Sequence, residues 1–342
     1  MIPTHTFRVS LAALLLVLSS ACATDRQVID QASSTHDQLE PAVVTDAEMK
    51  GYIQDLGKRI VDVAREMHAQ DYGPKAHFKE DADWMFSDQV QFHFVNSTTL
   101  NAFTTGGEHM YIYTELLKTC KTEDELVAVM AHEYGHIYGR HVQKGMNRQY
   151  YSIGGALAAG IGGYALGGKE HGAEYGMMAA GGTLAALQFV GMGFTRDDEA
   201  EADELGFDFY VRAGWDPKRF GDFFQALIDK GLDQKSDTTS DHPTLRSRVA
   251  AANARAAKLP PEAAQWRKAP VADAARFGAM KQRAEMVGKS MPNDQSLQQA
   301  QTLLAAVASC VSPTDMPEQT AAREKIVKAA EAEQKAQESP KP

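Results

Sequence analysis

The sequence predicts a mainly helical α+β fold that continues into a helical C-terminal region. Apolar residues recur three and four positions apart in segments such as 45–68 and 122–145, which indicates amphipathic helices. Between these segments, apolar and polar residues alternate in residues 89–95, and residues 109–113 follow a Gly-Gly turn. Both segments are therefore predicted to be short strands.

Composition and charge limit the class of protein. The chain has 342 residues, of which 44% are hydrophobic and 23% charged, so it is long and apolar enough to bury a full core. Its formal net charge is -10, and it has no clustered excess of Lys and Arg. This charge argues against nucleic acid as a partner, because neutralising phosphates requires such a cluster.

The N-terminus predicts export from the cytoplasm. Arg8 precedes the apolar segment 11–18, which is too short to span a bilayer but suits the hydrophobic part of a secretory signal. Cleavage before Cys22 would make residues 1–21 a lipoprotein-type signal peptide and attach a lipid to Cys22, with Ala23 favouring the outer membrane. The alternative is cleavage behind Ala23, which would give a soluble periplasmic protein.

Polarity and periodicity predict the structure of the segments that follow the N-terminus. Residues 22–44 are polar and are predicted to be a tether. The helix at 45–68 has a cap candidate in Thr45. In the two strands, His93 and His109 are most simply outward-facing residues, with a ligand role as the alternative.

A histidine motif, AHEYGHIYGRH, lies in the helix predicted at 122–145, whose start has capping-box spacing at Thr122. His132 and His136 are four residues apart and share one helix face, where two neutral imidazoles can bind one zinc ion. Glu133 follows His132 directly, in a position to act as general base on a metal-activated water. The spacing H-E-x-x-H therefore predicts a catalytic zinc site if a third ligand exists.

A third ligand is available in the helix predicted at 194–211. Glu199 can complete a His-His-Glu set, and Asp203, one turn later, can accept the free ring N–H of a zinc histidine. Ala202 and Gly206 fall on the same side and would allow this helix to pack closely on the first. The alternative is a solvated acidic face.

Two further histidines are predicted not to bind the metal. His141 follows His136 by five residues, which rotates it off the metal face of a continuous helix, and a histidine near a helix C-terminus is favourable in any case. His171 lies in an apolar, glycine-rich segment and is also predicted to be a non-ligand.

Four motifs occur in an order that resembles a known peptidase family. They are NAFTTGGEHMYIYTELL (101–117), LVAVMAHEYGHIYGRH (126–141), DDEAEADELG (197–206) and DHPTLRSRV (241–249). The series resembles the gluzincin metalloprotease family of HtpX and the CAAX prenyl protease, in particular its periplasmic branch with BepA and LoiP. The resemblance implies a zincin fold with a small β-sheet edging the cleft, and a zinc metallopeptidase domain at 45–258.

The resemblance also implies a role for each matched residue. His132 and His136 match the zinc histidines, Glu133 the general base, Glu199 the glutamate ligand, and Asp203 the aspartate that orients a zinc histidine. In addition, residues 101–113 match the strand beside the cleft, along which a peptide substrate adds as a further strand. The substrate-strand residues predicted here are Asn101, Ala102 and Phe103.

The last motif implies two more residues. His242 matches a histidine that gates the site in the periplasmic branch by occupying the open zinc position, and the alternative is that His-Pro simply ends a loop before the next helix. Arg248 matches an arginine for which a substrate or transition-state contact is one role.

Other segments leave alternatives open. Residues 153–193 are rich in Gly and Ala, and their short, glycine-broken runs favour a helical hairpin in or over the cleft, with two membrane spans as the alternative. Residues 259–342 are predicted to be helical or partly disordered. If Cys22 is lipidated, Cys120 and Cys310 remain as a pair that either forms a disulfide or stays as two buried thiols.

The sequence thus predicts a zinc-dependent endopeptidase of the bacterial periplasm, with one zinc ion per chain and no organic cofactor. Its substrates would be misfolded or stalled envelope proteins, and the outer-membrane assembly machinery is an expected partner. The alternative is a chaperone-like binding module for outer-membrane clients with little or gated proteolysis, because both functions need the same groove.

Overall fold

Helices surround one small sheet in the computed structural model, which describes residues 24–72, 83–148, 194–233, 243–308 and 319–326. The helices are α1 (Asp25–Leu39), α2 (Ala47–Tyr72), α3 (Thr114–Thr119), α4 (Glu123–Tyr138), α5 (Arg196–Arg212), α6 (Asp222–Asp229), α7 (Leu245–Ala257), α8 (Ala274–Ser290) and α9 (Gln295–Ala306). The strands are β1 (Gln91–Val95), β2 (Ala102–Thr104) and β3 (His109–Tyr113). These elements confirm the predicted mainly helical α+β fold and both predicted strands.

The sheet has the order β1–β3–β2, with β1 parallel and β2 antiparallel to β3. Side chains alternate between its two faces. The face with Phe92 and Met110 joins the main core, into which α2 and α4 also pack. The opposite face, with Phe103 and Tyr111, forms a second core with Leu39 at the end of α1 and with apolar residues of α9. The sheet is therefore covered on both sides.

Helices α4 and α5 pack closely because small residues lie at their contact. A Cβ atom at Gly135 would lie 2.8 Å from the carbonyl oxygen of Ala202, and one at Gly206 would lie 2.8 Å from the backbone nitrogen of His132. Larger side chains would force the two backbones apart. The close packing predicted from Ala202 and Gly206 is thus present, and Gly135 contributes to it from α4.

The helix predicted at 122–145 is broken near its end. Helix α4 stops at Tyr138, Gly139 is its C-cap, and Arg140 has a positive φ of 55°, after which residues 141–148 are helical again. A residue in the left-handed conformation changes the direction of the chain. The side chains after it therefore no longer follow the helical repeat of α4. This break changes where His141 lies.

The segment predicted as a tether is largely helical and packed on the domain. Thr24 caps α1, and the helix buries residues at intervals of three and four, namely Val28, Ala32, Thr35 and Leu39. The prediction of a tether is therefore wrong for residues 25–39. A narrow apolar stripe is enough to dock a helix, even when the rest of its surface is polar.

Asp25 fixes the start of α1. Its carboxylate is only 5% exposed and accepts hydrogen bonds from Trp84 Nε1 at 3.3 Å, Arg140 Nη2 at 2.8 Å and Gln143 Nε2 at 3.2 Å. A buried carboxylate is stable only with such donors. The N-terminal helix is therefore joined to the chain just after α4.

The region beyond residue 258 is also part of the folded body in its described residues. Phe277 and Met280 of α8 enter the main core, while Leu297 and Leu304 of α9 enter the second core. The domain boundary predicted at 258 therefore does not mark the end of the packed structure.

Glu123, at the start of α4, joins the C-terminal region to the domain. Its buried carboxylate accepts hydrogen bonds from Tyr52 Oη at 3.1 Å, Trp215 Nε1 at 3.1 Å and the backbone N–H of Val271 at 2.8 Å, and also from the backbone N–H of Ala272. This single side chain thus connects α2, α4, the turn after α5 and the segment before α8.

Among the described residues, none of the helices has both the length and the apolar character needed to cross a bilayer. The apolar segment 153–193, predicted as a helical hairpin, lies outside the described residues.

Candidate metal centre

Two histidines and one glutamate meet between α4 and α5. The Nε2 atoms of His132 and His136 are 3.1 Å apart, and the carboxylate of Glu199 lies 3.5 Å from His132 Nε2 and 3.8 Å from His136 Nε2. All three side chains are at most 1% exposed. The structure therefore brings together the three residues that the sequence predicts as ligands.

This donor set suits zinc. Zinc prefers imidazole nitrogens and carboxylate oxygens at about 2.0–2.2 Å in tetrahedral geometry, which separates ligand atoms by roughly 3.3 Å. The observed separations of 3.1, 3.5 and 3.8 Å bracket that value. Three protein ligands would leave the fourth position open, as in catalytic rather than purely structural zinc sites.

Glu133 lies within the same buried pocket. Its side chain is 0% exposed, and it follows His132 on α4. Its carboxylate is close enough to Glu199 to help raise the pKa of that residue. The predicted general base is therefore near the ligand atoms and shielded from bulk water.

Asp203 and Arg248 hold His132 in position. The Nδ1 atom of His132 lies 2.9 Å from Asp203 Oδ1, so the ring donates from Nδ1 and directs the lone pair of Nε2 towards the ligand cluster. Arg248 donates to both carboxylate oxygens of Asp203, from Nη2 at 2.7 Å and from Nε at 2.9 Å. Its guanidinium carbon lies 3.9 Å from the centre of the Phe224 ring.

Arg248 itself is buried behind these contacts, with 5% of its surface exposed. Its Nη2 atom lies 3.1 Å from His132 Nδ1, so the guanidinium lies directly against the imidazole. The structure therefore gives Arg248 a positioning task, which is to hold the aspartate that orients His132. A contact with substrate or transition state stays a prediction.

Burial sets the protonation of these groups. It raises the pKa of Glu199 to about 8, an effect that Arg248 opposes and that the nearby carboxylates of Asp203 and Glu133 increase. Burial and the Arg248 guanidinium together lower the pKa of His132 to about 4, so its ring is neutral at pH 7. Although burial alone would raise the pKa of Asp203, Arg248 and the His132 hydrogen bond hold it well below its ordinary value.

His141 contacts His136, the second predicted ligand. The sequence did not predict this contact. Its Nδ1 atom lies 2.8 Å from His136 Nδ1, and its Nε2 atom lies 3.2 Å from a carboxylate oxygen of Glu201, which also accepts from Lys144 Nζ at 2.8 Å. Because the Glu201 carboxylate can only accept, His141 donates to it from Nε2. The neutral His141 ring then accepts at Nδ1 from His136 Nδ1. His136 then keeps its Nε2 lone pair for a metal ion.

The predicted substrate-strand residues lie on or next to β2, at one edge of the sheet. Ala102 pairs with Ile112 and Phe103 with Tyr111 of β3. Asn101 is fully buried, and its amide Nδ2 donates to the carbonyl oxygens of Val307 at 3.4 Å and Ala308 at 3.2 Å. The segment after α9 therefore runs beside the start of this strand.

Several predicted residues lie outside the described part of the chain, namely Cys22, His171, His242 and Cys310. Cys120 is fully buried and forms no disulfide with another described residue. Because its partner residue is not described, the disulfide stays a prediction.

Comparison with known proteins places this part of the chain in a peptidase family. The sequence profile of peptidase family M48 matches residues 70–256, which contain His132, His136, Glu199 and Arg248. The chain is 28% identical to the beta-barrel assembly-enhancing protease of Escherichia coli K12 over 65% of this chain and 42% of that protein.

Two further relatives are more distant. The chain is 26% identical to the metalloprotease LoiP of Escherichia coli K12 over 47% of this chain and 60% of LoiP, and 25% identical to the mitochondrial metalloendopeptidase OMA1 of Arabidopsis thaliana over 60% of this chain and 38% of OMA1. The match to the beta-barrel assembly-enhancing protease spans less than half of that relative. The profile match covers more than half of the present sequence and includes the whole ligand cluster, and the chain therefore belongs to peptidase family M48.

Proposed function

We propose that the protein is a zinc-dependent endopeptidase with the zincin (gluzincin) arrangement of ligands. The observation that supports this proposal most directly is the buried cluster of His132, His136 and Glu199, whose ligand atoms all lie within 4.8 Å of one another. Two of its relatives, LoiP and OMA1, are named as a metalloprotease and a metalloendopeptidase.

Each residue of the site would have a separate role in peptide hydrolysis. Zinc bound at this cluster would supply Lewis-acid activation of water and of the scissile carbonyl. Glu133 accepts the proton of the attacking water and delivers it to the leaving amine. Asp203 and His141 fix the tautomers of the two histidine ligands, so that the site is preorganised before substrate arrives.

The substrate is proposed to be an unfolded or misassembled envelope protein. An extended peptide would add to the edge strand β2, along Asn101, Ala102 and Phe103, and bind through main-chain hydrogen bonds. Such binding requires an unfolded segment and reads little of its sequence. The similarity to a beta-barrel assembly-enhancing protease supports outer-membrane proteins as the client class.

The location is proposed to be the periplasm, with the outer membrane as the anchoring surface through a lipid on Cys22. Mass spectrometry of the mature N-terminus distinguishes this form from a soluble protein that begins behind Ala23. His242 is proposed to gate the open zinc position, on the strength of its place in the DHPTLRSRV motif.

Glu133→Gln tests the mechanism. The amide cannot accept the water's proton, so we expect cleavage of an unfolded protein such as casein to fall at least about a hundredfold, while zinc content is unchanged. Glu204→Gln, an exposed glutamate on the same helix as Glu199, serves as the control with wild-type activity. Full peptidase activity in Glu133→Gln would show that the assigned mechanism is wrong. Loss of cleavage together with full rescue of envelope assembly in cells would instead favour the binding module.

Glu199→Ala tests the third ligand. Removal of the carboxylate leaves two imidazoles, so we expect the protein to lose one equivalent of zinc per chain after dialysis, measured by inductively coupled plasma mass spectrometry. Glu204→Gln is again the matched control. Unchanged zinc content in Glu199→Ala would exclude Glu199 as a ligand.

A further inference from the structure

Three histidines from separate elements meet on the sheet face that α1 covers. His36 lies on α1, His93 on β1 and His109 on β3. Their side chains offer nitrogen atoms that all lie within 4.8 Å of one another. His93 is 7% and His109 9% exposed, and His36 is half-buried above them. The sequence predicted the two strand histidines to face outward. They lie on the sheet face opposite the main core, but they are buried there beneath α1, so this prediction is wrong.

The rings contact each other directly. His93 Nε2 lies 3.0 Å from His109 Nδ1, and the His36 ring stacks on the His109 ring with centroids 4.1 Å apart. His36 Nδ1 lies 2.9 Å from the hydroxyl oxygen of Tyr111. The 3.0 Å separation is close to the roughly 3.3 Å between ligand atoms of a tetrahedral site with zinc–nitrogen bonds of about 2.0–2.1 Å.

The sheet behind these rings fixes the spacing of the two strand histidines. His93 is in register with Tyr111, and His109 with Gln91, so the two histidines are diagonal neighbours on adjacent parallel strands. A pair held by a sheet varies little in separation, which is what a metal site requires of its ligands. The third ring comes from a helix that docks on the same face.

The electrostatic environment suits a cation bound by neutral ligands. Burial lowers the pKa of His93 to about 3 and of His109 to about 4, so both rings are neutral at pH 7. Burial also lowers the pKa of His36, a shift that the nearby carboxylates of Glu40 and Asp37 oppose. Lys50 adds to the lowering at His93. Neutral imidazoles are the preferred ligands of zinc and of its neighbours in the transition series.

We propose that His36, His93 and His109 form a second transition-metal site, with zinc as the expected ion, that clamps α1 to the sheet. The hydroxyl of Tyr111 lies beside the cluster, and the Tyr111 ring stacks on Phe103 of β2 with centroids 4.8 Å apart. Metal at this site would therefore hold the N-terminal helix against β3, the strand that pairs with β2. The site is separate from the metal centre between α4 and α5 and does not depend on the proposed peptidase function.

Zinc titration of the metal-free full-length protein tests this proposal. Wild type is expected to bind two zinc ions per chain, and His36→Ala one, because His36 is the half-buried member whose removal leaves the sheet intact. A variant that combines His36→Ala with Glu199→Ala is expected to bind no zinc. This result would show that the two substitutions remove zinc from separate sites. Added zinc should raise the melting temperature of Glu199→Ala, and His36→Ala should abolish that rise in the same background.

His68→Gln is the matched control, since His68 is a largely buried helical histidine outside both clusters. It should keep both zinc ions. His109→Gln provides a second variant, checked for folding by circular dichroism, and should also lose one ion. Two zinc ions per chain in folded His36→Ala and His109→Gln would overturn the proposal, as would an equal loss in His68→Gln.

Discussion

Each proposed zinc histidine depends on one side chain behind it. Asp203 accepts from His132, and Arg248 keeps that aspartate ionised despite its burial. His136 has a different partner, because the acceptor at its Nδ1 is the neutral ring of His141. The two ligands are thus oriented by chemically distinct groups, one charged and one neutral. We expect them to respond differently to substitution.

His141→Phe tests the second of these contacts. Phenylalanine fills the same buried space but cannot accept from His136 Nδ1, so we expect zinc affinity to fall by about 10–100-fold with the fold retained. Competition with a chromophoric chelator measures this affinity. Glu201→Gln removes only the charge one step further out and should have a smaller effect. Wild-type affinity in His141→Phe would mean that His136 does not need this acceptor.

At the level of helices, the candidate metal centre depends on how closely α4 and α5 approach. Gly206→Ala would place a Cβ atom 2.8 Å from the backbone nitrogen of His132, and backbone cannot yield as a flexible side chain can. We expect a loss of about 1–3 kcal/mol in the free energy of unfolding, together with weaker zinc binding as Glu199 moves away. Chemical denaturation and zinc titration measure the two effects.

Gly51→Ala is the control for this helix prediction. No atom lies within 4 Å of a Cβ at Gly51 on α2, so alanine there should stabilise the protein by up to about 1 kcal/mol through lower backbone entropy in the unfolded chain. If Gly206→Ala were as stable as Gly51→Ala, the close contact between α4 and α5 would not limit the site.

Residue patterns predicted these two helices well because their signals are local. H-E-x-x-H needs only the repeat of an α-helix to place two rings together, and Glu199 follows from its position on an amphipathic helix. The break at Arg140 has no such signal, since a positive φ at a non-glycine residue is not visible in polarity. As a result His141, expected to point away, lies against His136.

Contacts between distant elements were harder to predict. The α1 stripe contains Ala32 and Thr35 among its buried positions, so the segment appeared polar as a whole. His36, His93 and His109 meet only because α1 docks on the sheet, which no single pattern encodes. The sequence thus predicted the two helices that carry the candidate metal centre, but neither the position of His141 nor the layer that covers the sheet.

For the whole molecule, the C-terminal helices are expected to be required for folding. A chain ending at residue 258 would lose the buried side chains of Phe277, Met280, Leu297 and Leu304. Each contributes about 1.5–3 kcal/mol by burial, against a total stability of about 5–15 kcal/mol for a typical domain. We expect this truncated chain to show no cooperative thermal unfolding by circular dichroism.

A chain ending at residue 326 keeps every described element and is the control for the truncation. It should unfold cooperatively at a temperature close to that of the full chain. Cooperative unfolding of the 258-residue chain at the same temperature would instead support an independent domain that ends there.

The hydrogen bonds to the Asp25 carboxylate have a mechanical consequence. Three donors, from Trp84, Arg140 and Gln143, hold the first residue of α1. A pulling force applied to the chain before residue 24 would therefore enter the protein at Asp25 and be shared with Arg140. Arg140 is the left-handed residue that turns His141 towards His136. Tension on the N-terminal end would be transmitted, through two side chains and one backbone turn, to the residue that contacts His136 in the candidate metal centre.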